Sequence, residues 1–260
     1  MRNFFMSAVA ACVMAAAPFT AANAATIDVD VELQLLVDVS GSVDSSEFAL
    51  QRDGYVDAFR SSTIQNAILS TADGRLGKIA VEFIYWSGQA QQQVSVGWAL
   101  LDSVPAINAF ADAIEAAARP FSGQTAVGSA INFGYQRFAT NDYNGTTNVI
   151  DVSGDGADNQ GTNAASARDA ALAAGIDRIN GLPIGGSSSV ESFYANNVIG
   201  GSGSFLLAAS DFNDFSSAVA KKLEYEITGE NPNVIPLPAA GWLLIAGLGG
   251  LGLMRRRTTV

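Results

Sequence analysis

The chain has 260 residues, of which 48% are hydrophobic and 15% charged, enough apolar material for one sizeable core and too much for a disordered chain. It contains no histidine and a single cysteine, Cys12, which excludes His-based triads, His-ligated zinc and, once a leader holding Cys12 is removed, thiol or disulfide chemistry. Setting aside Arg2 and the three arginines Arg255, Arg256 and Arg257 leaves ten basic against 25 acidic residues, a net charge of −15, so the surface repels nucleic acid and anionic lipid.

The N-terminus carries Arg2, an apolar run over 4–19 and then Ala22, Asn23 and Ala24. A basic start, an apolar centre and an A-x-A site predict a secretory signal peptide over 1–24.

Residues 25–229 read as one domain of alternating strands and helices. The apolar run over 33–37 followed by a Gly/Ser turn predicts a strand buried on both faces. Asp44 or Ser45 caps the next helix, with Glu47 in its first turn and Phe48, Tyr55, Val56 and Phe59 on its apolar stripe. Runs at 79–86 and 94–98, joined by a polar turn, predict an antiparallel hairpin. Ser103 and Pro105 start a helix that presents Ile107, Phe110 and Ile114 on one side. Val127, Ile131, Tyr135 and Phe138 mark another helical face. A strand follows at 148–152, then a small-residue helix at 164–174 ended by Gly175. Strands are predicted at 176–184 and 205–208, separated by a Gly/Ser-rich surface loop at 185–189. The last helix, capped near Ser210, carries Phe212, Phe215, Val219, Leu223 and Ile227. Strands separated by helices of this length imply an α/β fold: a Rossmann-like, mostly parallel central sheet with one antiparallel edge hairpin and helices on both faces.

Residues 230–238 form a linker, after which 239–254 is an uncharged apolar stretch closed by the basic end 255–260. The uncharged run from 234 to 254 is long enough to cross a bilayer as a helix, although Pro236 and Pro238 confine regular helix to the later part. The arginines would stay cytoplasmic and leave the domain outside that membrane. Ile235-Pro236-Leu237-Pro238-Ala239, the apolar span and the Arg cluster together resemble a PEP-CTERM-type sorting tail of the V-P-L-P-A variant. That resemblance implies an exosortase-like processing partner and delivery to the cell surface or extracellular matrix.

In open parallel sheets, ligands bind beyond the carboxyl ends of the strands. The first strand ends in Asp38-Val39-Ser40-Gly41-Ser42, a D-x-S-x-S sequence whose alternation can aim Asp38, Ser40 and Ser42 at one spot. Ser122-Gly123-Gln124-Thr125 places a hydroxyl at the start of a helix, and Asp155 follows the 148–152 strand in Ser153-Gly154-Asp155-Gly156. Three hydroxyls and two carboxylates, without nitrogen or sulfur, suit Mg²⁺, Mn²⁺ or Ca²⁺.

This combination resembles a von Willebrand factor type A domain over about residues 28–228. With Trp86-Ser87-Gly88, the string 149–156 and Ile179-Asn180-Gly181-Leu182-Pro183-Ile184, it is similar to a bacterial subfamily of unknown function. The resemblance implies a metal-ion-dependent adhesion site holding a divalent cation, most simply Mg²⁺. Ser40 and Ser42 would bind through their hydroxyls, Asp38 and Asp155 directly or through coordinated water, and Thr125 directly or through water. A sixth position would go to an acidic group of a partner, either a protein carboxylate or a uronate-type acidic polysaccharide. One departure is the Ser-Gly-Asp-Gly at 153–156, where the family pattern has Thr before Asp-Gly.

Catalysis is not expected. Asp44, Asp151 and Asp158 are the carboxylates near the site in sequence that could serve as a base, and each is read as a solvated turn or capping residue. Ser40 and Ser42 lack a His or Lys base at a recognisable spacing, and no phosphate-binding loop occurs. A structural matrix protein whose metal only stabilises the fold is the second reading, and a metal-dependent hydrolase the third.

Overall fold

The structure is a computed structural model in which residues 26–229 are described. The leader expected over 1–24 and the linker, apolar span and basic end beyond 229 lie outside the described residues. No helix among the described residues is long and apolar enough to cross a membrane.

Six strands form one mixed sheet in the order β3-β2-β1-β4-β5-β6. β1 (Ile27–Asp38) lies at its centre, and from Val31 onwards all its residues are buried, as a strand covered on both faces requires. It runs parallel to β2 (Ile79–Trp86) on one side and to β4 (Tyr143–Gly154) on the other. β5 (Arg178–Pro183) extends the parallel set beyond β4. β3 (Gln92–Leu101) closes one edge antiparallel to β2, as the expected hairpin.

The opposite edge departs from expectation. A two-residue strand, β6 (Gly200–Gly201), pairs antiparallel with β5 and makes a second antiparallel edge. The strand expected at 205–208 is reduced to two isolated parallel bridges, Gly181 with Leu206 and Ile184 with Ala209. Gly201 and Gly203 take φ of 90° and 73°, so the chain turns sharply there, as glycine readily does. The Phe205 amide is then taken by the buried Asn180 side chain at 3.1 Å, which interrupts a regular ladder.

Alternation along β1 sends its side chains into two cores. Leu33, Leu35 and Val37 pack with Tyr55, Phe59, Phe83 and Phe215 beneath α1 (Ser45–Arg60), α2 (Ser62–Leu69), α3 (Val104–Ala116) and α7 (Phe215–Thr228). Leu36 packs on the other face with Ile84, Trp86, Val127, Ile131 and Tyr194, beneath α4 (Val127–Tyr135) and α5 (Ala164–Ala173). Asp44 and Glu47 form a reciprocal capping box on α1.

Two helical details were not expected. α2 is capped by Ser61 and buries Ile64 and Ile68, while the serines of the expected surface loop begin α6 (Ser188–Phe193), which runs into a π-helical turn at Tyr194–Val198. The last helix starts at Phe215 rather than near Ser210. The Asp211 carboxylate accepts the amides of Asn213 and Asp214, an Asx-type turn that delays helix entry.

Candidate metal centre

β1 and β4 are neighbours, and both end at the same crest of the sheet. This brings the five oxygen-bearing side chains named from the sequence together. Ser42 Oγ donates to Asp155 Oδ1 at 2.7 Å, across 113 residues of chain. Ser40 Oγ and Ser42 Oγ lie 3.2 Å apart, and Thr125 Oγ1 donates to Ser40 Oγ at 3.4 Å. Asp38 is fully buried beneath them, and its Oδ1 accepts the Ser40 amide at 2.7 Å. Asp38, Ser40, Ser42, Thr125 and Asp155 therefore converge.

The loops that present them are tied to each other through backbone. The Gly41 amide donates to the Gly123 carbonyl at 2.7 Å, and a Cβ on Gly41 would come within 3.2 Å of that oxygen. The Thr125 amide donates to Asn159 Oδ1, and the Asn159 amide returns to the Thr125 carbonyl, both at 3.0 Å. Ser87 joins β2 to the Thr125 loop: its hydroxyl accepts from Gly123 N–H and donates to the Gln124 carbonyl.

Arg119 is a site residue that sequence reading missed. Its guanidinium donates to the carbonyls of Val39 at 3.0 Å, Ser40 at 2.8 Å and Val43 at 2.7 Å, and to Phe121 at 2.9 Å. These partners are all main-chain atoms, so no side-chain motif announces the contact. Gln51, fully buried on α1, likewise donates to the Asp38 carbonyl at 3.2 Å.

Electrostatically the cluster suits a cation. Burial, and then the negative charge of Asp155, push the Asp38 carboxyl up to about 7. Asp38 Oδ2 is buried without a hydrogen-bond partner, an arrangement that costs free energy unless something satisfies it. No group of three or more His, Cys, Asp or Glu residues placed to hold a metal ion occurs among the described residues; here hydroxyls supply most of the donors. Two adjacent carboxylates and three hydroxyls are an oxygen-only set that fits a hard divalent ion. The Gly154 departure has a steric reason. A Cβ at that position would lie 2.7 Å from the Tyr194 hydroxyl and 2.8 Å from Asp38 Oδ2, so a larger residue would not fit.

The nearby carboxylates divide differently from expectation. Asp44 caps α1 as anticipated. Asp158 accepts the Gly128 and Ala164 amides and so joins α4 to α5. Asp151 is not a solvated turn residue. It lies fully buried within β4 and is ion-paired at 2.6 Å with Lys222 of α7, itself fully buried and 2.5 Å from Glu226. Asn180 donates to the same Glu226 oxygen at 2.9 Å. Burial and the Glu226 charge raise the Asp151 pKa, against the lowering effect of Lys222. The signal was present in the sequence, because a lone acid inside an otherwise apolar buried strand demands a buried partner.

A family profile described as "Protein of unknown function (DUF1194)" matches residues 28–231. The chain belongs to the DUF1194 family. Among curated proteins, no sequence matches it. Solved structures place the DUF1194 domain in a wider fold group. It is similar to proximal thread matrix protein 1 from the mussel byssus, in a form with a zinc-occupied MIDAS motif, with a TM-score of 0.56 and 15% identity over 78% of this chain and 49% of that one. It is also similar to the pilus adhesin SpaC from Lactobacillus rhamnosus GG in its open conformation, with a TM-score of 0.55 and 15% identity over 79% and 30% of the two chains. A von Willebrand factor type A protein from Catenulispora acidiphila gives a TM-score of 0.54 and 12% identity over 77% and 43%. The DUF1194 chain thus spans about half of the mussel protein's length and less of the other two. At these identities the likeness is one of fold, and the fold is von Willebrand factor A-like.

Proposed function

We propose that this DUF1194 domain is a divalent-cation-dependent adhesion or ligand-binding domain. One observation carries the reading: Asp38, Ser40, Ser42, Thr125 and Asp155 meet at the carboxyl ends of β1 and β4, with a buried Asp38 oxygen left unpartnered. A divalent ion bound there, most simply Mg²⁺ with Mn²⁺ or Ca²⁺ as the other candidates, would supply Lewis acidity towards an external carboxylate. The chain's own part is to hold the donors. Ser40, Ser42 and Thr125 contribute neutral oxygens, and Asp38 and Asp155 contribute two negative charges that balance the ion without saturating its pull on a further anion. The remaining acidic surface confines contact with an acidic partner to this face. An Asp or Glu side chain of a protein, or a uronate-type polysaccharide, fits that requirement.

Binding rather than catalysis is supported by the commitments of the neighbouring acids. Asp44 and Asp158 are engaged by backbone amides, and Asp151 by Lys222. Export to the cell surface or matrix, with processing of the C-terminal tail by an exosortase-like enzyme, is the accompanying proposal. It rests on the leader-like start and the Pro-Leu-Pro-Ala tail, and two structural neighbours, a pilus adhesin and a thread matrix protein, are consistent with it. That the mussel neighbour is a matrix protein supports the second reading, a structural matrix protein whose metal only stabilises the fold.

The test is calorimetric titration of the protein with Mg²⁺, Mn²⁺ and Ca²⁺, followed by retention on a uronate-polysaccharide resin with Mg²⁺ and with chelator. Saturable uptake and chelator-sensitive retention are expected. Absence of uptake of all three ions rejects the proposal, whereas uptake with a raised melting temperature and no retention of any acidic ligand favours the structural reading.

A further inference from the structure

We propose that the Tyr194 hydroxyl is a positioning group of the metal centre, steadying Asp38 across the space that Gly154 leaves free of a side chain. The inference rests on the cation-binding reading of the site. Tyr194 comes from outside the loops that carry the oxygen cluster: it opens the π-helical turn after α6, and such turns recur at functional sites. The ring is fully buried and packs against Gly181, where a Cβ would come within 2.9 Å of Tyr194 Cδ1. It also meets Phe193 edge-on, with ring centroids 5.9 Å apart. The phenol is therefore held in place by carbon contacts while its oxygen has no hydrogen-bond partner.

That oxygen and Asp38 Oδ2 border the same point above Gly154, at 2.7 and 2.8 Å. One is a hydroxyl and the other a buried carboxylate oxygen, and both are unpartnered. The two atoms are not hydrogen-bonded to each other, and buried polar atoms left so are costly unless a small shift or a shared water joins them. A phenol keeps its proton at neutral pH and a carboxylate only accepts, so Tyr194 faces Asp38 as the donor. Asp38 Oδ2 has two lone-pair sites, so a proton from Tyr194 leaves one for the cation, and such a donor fixes the orientation of a ligating carboxylate. No sequence motif pairs residues 38 and 194; only the absence of a side chain at 154 lets them approach.

The test compares Tyr194→Phe with the wild-type protein by Mn²⁺ titration at pH 8 and by melting without metal. The Phe variant should bind Mn²⁺ about 10–100-fold more weakly. Its metal-free melting temperature should fall by only a few degrees at most, because the ring that fills the core is kept and a single hydroxyl contact is lost. Equal affinity overturns the inference and leaves the metal site standing. Weaker binding together with a loss of metal-free stability far beyond that of one hydrogen bond assigns Tyr194 to packing and also overturns it. No uptake by wild type removes the cation-binding reading and this inference with it. Gly154→Ala drives a methyl group between the two oxygens and within 3.0 Å of Asp38 Cβ, and should weaken Mn²⁺ binding at least as much. Should the Phe variant not fold, unchanged Mn²⁺ affinity in Gly154→Ala overturns the inference.

Discussion

Arg119 Nη2 donates to the Ser40 carbonyl at 2.8 Å, and the same nitrogen reaches the carbonyls of Val39 and Val43. One guanidinium thus braces the turn from which two of the site's hydroxyls project. Arg119→Ala should cost about 2–3 kcal/mol in urea denaturation, since hydrogen bonds from a charged group each carry more than neutral ones. It should also weaken cation binding, although no ligand is removed. Unchanged stability would show that solvent replaces Arg119 at no cost.

Asp155→Ala removes the carboxylate that accepts from Ser42 and should leave a folded protein. Wild type with cation at 100 times its dissociation constant gains about 2.7 kcal/mol, and the variant should gain little or none. Melting curves with and without Mg²⁺ measure the difference.

The pH dependence follows from Asp38, whose carboxyl is raised from 3.8 to about 7. A raised folded-state pKa means that the fold holds a proton the unfolded chain releases. This contribution is fully present below about pH 4 and is lost as pH rises through about 7. The metal-free protein should accordingly melt lower at pH 8 than at pH 5. Cation affinity should move oppositely, falling by roughly tenfold per pH unit below 7 as the proton competes for the ligand. Parallel melting and Mg²⁺ titrations across pH 5–8 separate the two trends.

Lys222 lies between Asp151 and Glu226 with no exposure. Lys222→Met should destabilise the domain by about 3–5 kcal/mol, because two buried acids lose their counter-charge. Combining it with Asp151→Asn and Glu226→Gln should restore most of that loss. Chemical denaturation of the single and triple variants decides, and a single variant as stable as wild type would refute the account.

The parts of this protein legible in its sequence are those encoded by local pattern. The Asp44–Glu47 box, the apolar run of β1 and the small-residue α5 state their own geometry over a few residues. The five metal-site candidates were legible because each sits at or just beyond the end of a strand or before a helix, where the topology gathers them. Arg119 was hidden because main-chain carbonyls carry no identity. Lys222 and Glu226 were hidden for another reason: a helical i,i+4 pair ordinarily faces water, and here it is turned inward by Asp151. The segment at 205–208 has strand-like composition, but the Asn180 side chain takes the hydrogen bond that a regular ladder would need.

The placement of β1 beside β4 has a kinetic consequence. Residue 42 finds residue 155 only after more than a hundred intervening residues have been synthesised and the central ladder has zipped, a long-range closure that slows folding. Chains truncated before residue 155 therefore lack the cluster altogether.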